Sequence, residues 1–335
     1  MLAVVRMADD PAASARWRAD AALSAVEAHP TYGEFGRRYY PAVFGLDRTD
    51  QTFFVVEDDR PLLMVACSTG CGAADYYGSP IRFFVGAVPD AAELQRAVGV
   101  AFDYLFQLIE PLAPIRITVA DHAGLGVLSA VGKQCLNRNA TAAIRLNAIC
   151  DLSSGEAKMK QSMRKSFRSL VNWGERNLRV SCVDRDAPSR DLFTRYQDFH
   201  RTIAGRTTRP DESWDIMFDW IASGRGDLVL GFTADDELVA GTLVVDGTTT
   251  ASYASGVYDR ERFDQPMAHW PMWVAMLRSA QRGLRTFDIG AVPLTDTASP
   301  KEVAIGYFKR GFATDITTWA EWSVDTLEVA AQEPA

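Results

Sequence analysis

The sequence predicts an α/β protein made of two structural repeats, each a mixed sheet flanked by helices. Three observations carry that reading. The chain has 335 residues, long for one domain and comfortable for two. A polar break at residues 151–155 falls near its middle. The element order before the break is strand–helix–helix–strand–strand–strand–helix–strand–helix–strand, and it returns after the break. The domains expected from this are residues 1–150 and 151–325, followed by an acidic, Ala-rich tail at 326–335.

In the first half, residues 2–6 form a strand, and 14–28 a helix with Trp17, Ala21 and Ala25 on one face, closed by His29-Pro30. Thr31 and Glu34 make a capping box that opens a helix to about residue 43. Residues 52–56 and 62–68 are apolar strands around a polar turn, and a third strand lies within 75–85. Asp90 caps a long helix to residue 109, with Leu94, Val98, Ala101, Leu105 and Leu108 on one stripe. A strand at 115–119, a short helix at 122–131 and a strand at 140–149 close the half.

The second half opens with a helix over 158–176. Met159, Met163, Leu170 and Val171 are its apolar side; Lys160, Arg164, Lys165 and Arg168 are a basic side that reads as a solvated face or a phosphate-facing patch. A strand at 178–183, helices at 190–203 and 210–222, strands at 227–233, 238–245 and 249–258, a helix at 266–282 and a strand at 286–289 follow. The best-defined element comes next. Ser299 and Glu302 form a capping box, Pro300 takes the first helical position, and Gly311 is the expected stop. This helix carries Ala304, Tyr307 and Phe308 as an apolar stripe and Lys309 in its last turn. Residues 314–322 are the last strand.

Composition bounds the function. Apolar residues make up 47% and charged residues 23%, an ordinary globular balance, and the net charge of −8 argues against coating DNA. The five cysteines are odd in number without C-x-x-C spacing, which fits reduced thiols in a cytoplasmic protein. The four histidines are scattered, so no metal site is expected. The first residues lack the pattern of a signal peptide, and no uncharged apolar run approaches the roughly 20 residues of a membrane span.

The element order matches the GNAT-type N-acyltransferase fold, and two such domains joined by a basic helix resemble the FemABX family of aminoacyltransferases. Residues 163–168 (MRKSFR) are similar to the basic helix that opens that family's second domain, 238–243 (LVAGTL) to its hairpin strand, and 283–290 (GLRTFDIG) to its G-x-x-x-x-D-x-G strand. Most specific is 307–312 (YFKRGF), which resembles the family's F-K-x-x-F. The first half matches in architecture alone. The resemblance implies transfer of an amino acid from aminoacyl-tRNA to an amine, typically in a peptidoglycan precursor, with Phe308 and Lys309 at the donor's reacting end. A fixed ammonium there stabilises the oxyanion that forms when an amine attacks an ester. Two departures stand out. The gap at 204–209 leaves no room for the helical arm of tRNA-binding members, and the first half has no motif that aligns to precursor-binding residues.

The alternative donor is an acyl-CoA, with an amino sugar or amino acid as acceptor; a catalytically inactive ligand-binding protein is the third reading. GNAT domains that use coenzyme A hold its pyrophosphate on a glycine-rich loop before a helix. The equivalent stretch here, residues 258–267, has no glycine, although Arg260 and Arg262 could neutralise phosphates. Arg206 and Arg209 are candidate contacts to an acceptor phosphate, Tyr253 a candidate lining of the acyl channel, Phe312 a substrate-side candidate that with Phe308 excludes water from Lys309, and Asp288 a candidate acceptor of the amine proton. His269 reads as core. No G-x-S-x-G or triad is present, so direct transfer without a covalent enzyme intermediate is expected, and the acyl donor is a co-substrate, not a resident cofactor.

Overall fold

The computed structural model describes residues 1–88, 90–112, 115–123, 126–262, 264–294 and 298–325; the tail expected at 326–335 lies outside the described residues. Contacts divide the chain into two compact units. Met1–Val26, Phe44–Arg145 and the segment from Thr318 make the first, and Glu27–Val43 and Leu146–Thr317 make the second.

Both units build one sheet pattern. In the first, Leu2–Arg6, Phe53–Glu57, Arg60–Ala66 and Ile81–Val85 are successive antiparallel neighbours. Ile81–Val85 then runs parallel to Arg116–Asp121, which pairs antiparallel with residues 320–325. In the second, Arg179–Val183, Gly226–Phe232, Leu238–Asp246 and Thr250–Tyr258 are antiparallel in that order. Thr250–Tyr258 runs parallel to Thr286–Val292, which pairs antiparallel with residues 146–151. The repeated α/β architecture is therefore as the element order predicts.

The expected division at residue 150 needs correction at three places. The strand assigned to close the first half supplies residues 146–151 to the second unit's sheet, and the chain's last strand supplies 320–325 to the first unit's sheet. The helix Glu34–Phe44 lies largely in the second unit, for a packing reason. Phe35 is buried edge-on against Trp220 at 5.3 Å, and Glu34 pairs with Arg225 at 2.7 Å.

Local signals succeed where the element closes on itself. Asp90 accepts from Glu93 N at 2.8 Å and starts Ala91–Ile109, whose Val98, Ala101 and Leu105 are buried in the first unit's core with Phe53, Val65 and Ile117. They fail where a distant partner intervenes. The helix expected at 14–28 breaks into Pro11–Arg18, Ala21–Leu23 and Ala25–Ala28, because Asp20 caps a new turn through Ala22 N. The Thr31/Glu34 capping box does not form: Thr31 N donates to His29 Nδ1 and Glu34 N to Glu27 Oε2. The short helix expected at 122–131 is Ala130–Leu136, capped by Ser129. The basic helix splits into Glu156–Ser162 and Lys165–Asn177, because Arg164 N turns to donate to Gly311 O at 2.9 Å.

Pro300–Phe312 forms with both bonds of its capping box. Gly311, however, is not its left-handed stop. The helix continues to Phe312 and ends on extended Ala313. Gly311 is needed for space: a Cβ there would come within 2.0 Å of the Phe167 ring. Phe167, Met272, Trp273, Phe287 and Phe312 form the core beneath.

Candidate active site

In the second unit the parallel pairing ends at Ser252↔Asp288, while both strands continue. A cleft of about 770 Å³ opens beside residues 253–258. His200, Ile203 and Ala204 of the helix Arg190–Ala204 form one wall, and Lys301, Ala304, Ile305, Phe308 and Lys309 of Pro300–Phe312 form another. A bulge shapes its floor: Leu243 faces Ser255 and Val244 faces Tyr253, which leaves Ala254 unpaired. Gly256 lets the Tyr253 ring lie along the strand, since a Cβ there would fall 1.6 Å from the Tyr253 hydroxyl oxygen. Burial pushes that hydroxyl's pKa well up, so it stays protonated.

Among the described residues the charges on the cleft have one sign: Arg260, Lys301 and Lys309 line it, and no carboxylate does. Lys309 is the most constrained. Its Nζ donates to Ala291 O at 3.0 Å, and burial lowers its pKa, with Asp288 acting in the opposite direction. Gly290 makes room for it: φ is +99°, and a Cβ would lie 2.9 Å from Lys309 Nζ.

Asp288 is held from three sides. Its Oδ1 accepts from Gly290 N at 2.8 Å, its Oδ2 meets His29 Nε2 at 2.9 Å, and Asn147 Nδ2 lies 3.4 Å from both oxygens. The Thr31 N–H points at His29 Nδ1 at 3.1 Å, so Nδ1 accepts and Nε2 carries the proton given to Asp288.

The structure thus brings Tyr253, Arg260, Phe308 and Lys309 to one cleft, with Asp288 behind Lys309. Three expected contacts are engaged elsewhere, and a fourth lies off the cleft lining. Phe312 is 1% exposed and packs on Phe167 at 5.3 Å, so it is core and cannot touch a substrate. Arg262 is engaged by Glu237 and by Asp259, the latter at 3.2 Å. Arg209 donates to the Tyr39 hydroxyl at 3.0 Å and lies over Trp214. Arg206 is exposed in the loop beyond Gly205, outside the lining. His269 packs edge-on against Phe167 at 4.6 Å and Phe308 at 5.3 Å, and burial lowers its pKa to about 4. Lys301, His200 and His29 are additions. Lys301 could have been found from helical spacing, four residues before Ile305 and eight before Lys309. His29 carries no local signal, since its partner is 259 positions away.

This arrangement of strands is that of the GNAT fold. Residues 157–298 match the family described as Acetyltransferase (GNAT) domain. Across the whole chain the fold is tandem and FemABX-like. A crystal structure of FemX aligns with a TM-score of 0.63 at 12% identity, covering 93% of this chain and 97% of that one. A tandem GNAT protein from the clavulanic acid biosynthesis pathway aligns at 0.59 and 12% identity, covering all of both chains. A GCN5-related N-acetyltransferase from Sphaerobacter thermophilus aligns at 0.51 and 13% identity, covering 97% and 95%. No curated protein matches the sequence. Residues 157–298 thus match a GNAT acetyltransferase domain, and the whole chain has a tandem GNAT fold. Among the described residues no helix is long and apolar enough to cross a membrane.

Proposed function

We propose that the protein transfers an aminoacyl group from aminoacyl-tRNA to an amine acceptor, as FemABX enzymes do. The carrying observation is the Lys309 ammonium, bonded to the Ala291 carbonyl in a cleft whose charges, among the described residues, are all positive. Such a cleft selects an anionic donor. Arg260 and Lys301 would take its phosphates, and Tyr253 and Phe308 would flank the acyl group. Arg164 and Arg168 have another duty: they cap the Tyr307, Met163 and Gln161 carbonyls.

The chemistry is a direct aminolysis. The neutral acceptor nitrogen attacks the ester carbonyl carbon, and the C–N bond forms as the carbonyl oxygen becomes negative beside Lys309. Collapse breaks the C–O bond, and the proton lost by nitrogen ends on the leaving hydroxyl. Phe308, packed with Phe167 and Phe312, keeps water from the ammonium and strengthens its field. Asp288 was the candidate proton acceptor; with both oxygens bonded, we assign it to positioning instead. No resident cofactor enters this scheme, and charged tRNA places the reaction in the cytoplasm.

The stretch 258–267 contains no glycine, which weighs against an acyl-CoA donor. A thermal-shift panel separates the two. Charged tRNA at about 100 times its dissociation constant should add about 2.7 kcal/mol of stability. Stabilisation by acetyl-CoA and none by charged tRNA would make coenzyme A the donor.

A further inference from the structure

His29 stands out because its surroundings fix it so fully. The hairpin after Asp246 grips its loop: Thr248 N donates to Glu27 O at 2.8 Å, and Thr249 N to Ala28 O at 3.4 Å. Gly247 allows this approach, since a Cβ there would fall 2.5 Å from Ala28 O. The ring is then held at both nitrogens, by the Thr31 amide and by Asp288. A histidine locked at both nitrogens is not a free base, so its use lies in what it does to Asp288.

Asp288 and Lys309 are neighbours of opposite charge in a half-buried place, yet they form no ion pair within 4.0 Å. Lys309 instead donates to Ala291 O, and Asp288 spends its oxygens on His29 and Gly290. Left with one oxygen free, a carboxylate in such a place would close on the ammonium. That would occupy the donors of Lys309 and cancel the charge it presents to the cleft. With Asp288 held back, two of the three ammonium N–H donors remain for a ligand.

We propose that His29 is a positioning residue for acyl transfer: by occupying Asp288 it keeps that carboxylate from closing on Lys309, and so leaves the ammonium to the oxygen that becomes negative. This rests on Lys309 acting at the transferred carbonyl. The charged groups near Lys309 are Asp288 from the strand Thr286–Val292, Lys301 two turns earlier on its own helix, and Arg260 on the cleft lining.

The test needs no donor. Competitive labelling of the unliganded protein with a small anhydride, read by mass spectrometry across a pH series, follows the titration of Lys309 itself. His29→Asn keeps an acceptor for the Thr31 amide but cannot reach Asp288; His29→Gln reaches it. Lys309 in His29→Asn should titrate about one pH unit higher than in the wild type, a tenfold change in free amine. His29→Gln should restore the wild-type titration. Asp288→Asn should titrate lower, and His29→Asn should add nothing in that background. In turnover, His29→Asn should lose about tenfold in kcat with donor KM unchanged. Unchanged titration in His29→Asn, or shifts that simply add in the double variant, would overturn the proposal. The labelling result is decisive whichever donor the enzyme uses, so a wrong donor assignment shows up separately, in the thermal-shift panel.

Discussion

Asp121 and Asp288 stand at matching places in the two units, where parallel strands part, and are put to different uses. Each accepts the amide two residues on: Asp121 Oδ1 from Ala123 at 3.0 Å, Asp288 Oδ1 from Gly290 at 2.8 Å. In the first unit the other oxygen takes the Ser129 hydroxyl at 2.7 Å, and Ser129 caps Ala130–Leu136 through Gly132 N. That carboxylate secures a helix end and lines a cleft of about 370 Å³ among Phe83, Phe84, Leu94 and Val98. In the second unit the other oxygen takes His29, and the charged groups that line the neighbouring cleft of about 770 Å³ are, among the described residues, all cations. The same frame serves as scaffold in one unit and as a charged site in the other. What separates them is the partner of one carboxylate oxygen and a lysine on the facing helix.

Acid should break the symmetry most strongly. Burial holds His269, in the second unit, near pKa 4, below the usual 6.5. Between these values the unfolded chain binds a proton that the folded unit refuses, so stability falls as pH drops from 6.5 to 4, by about 3 kcal/mol in all. Hydrogen exchange should show the second unit's core, Phe167 to Met276, loosening ahead of the first unit's. Equal loosening of both would contradict the buried, uncharged imidazole.

Paired substitutions sharpen the comparison further. Asp288→Ala and Asp121→Ala each strip a buried carboxylate from its donors, and each should cost about 1–3 kcal/mol in a denaturant melt. Turnover should part them: Asp288→Ala removes the nearby charge that offsets the desolvation of the Lys309 ammonium and should lower kcat, whereas Asp121→Ala should not. A loss of kcat in Asp121→Ala as large as in Asp288→Ala would show that the first unit shares the chemistry.

The smallest effect concerns donor grip. Arg260→Ala removes one cleft cation, and donor KM should rise about tenfold, roughly 1.4 kcal/mol, with kcat little changed. Arg262→Ala, whose guanidinium serves Glu237 and Asp259, should leave KM where it is. Equal effects of the two would place the donor's phosphates outside the cleft.

These contrasts follow what sequence could and could not show. The capping box of Ser299 and Glu302 is local, so Lys309's helix and its orientation were legible. The alternation of apolar strands and helices made the repeat legible too. Gly311 was misread because a glycine at a helix end looks like a stop, whereas its role is set by Phe167, from another helix. Arg209 and Arg262 were misread because a loop arginine in sequence does not reveal the tyrosine or carboxylate that claims it. The exchange of closing strands, and the placing of His29 beside Asp288, depend on pairings across well over a hundred residues and leave no trace in any window.

The central claim is that the Lys309 charge acts in the transition state, and turnover of Lys309→Met alongside its melt tests it most directly. Methionine keeps the length and helix propensity but deletes the charge. The account predicts a kcat lower by about 10²–10³-fold, donor KM little changed, and a melting midpoint near that of the wild type. Lys309→Arg should recover only part of the loss, because a planar guanidinium cannot occupy the same point above Gly290. A folded Lys309→Met protein with near-normal kcat would contradict the account and return this helix to a purely structural role.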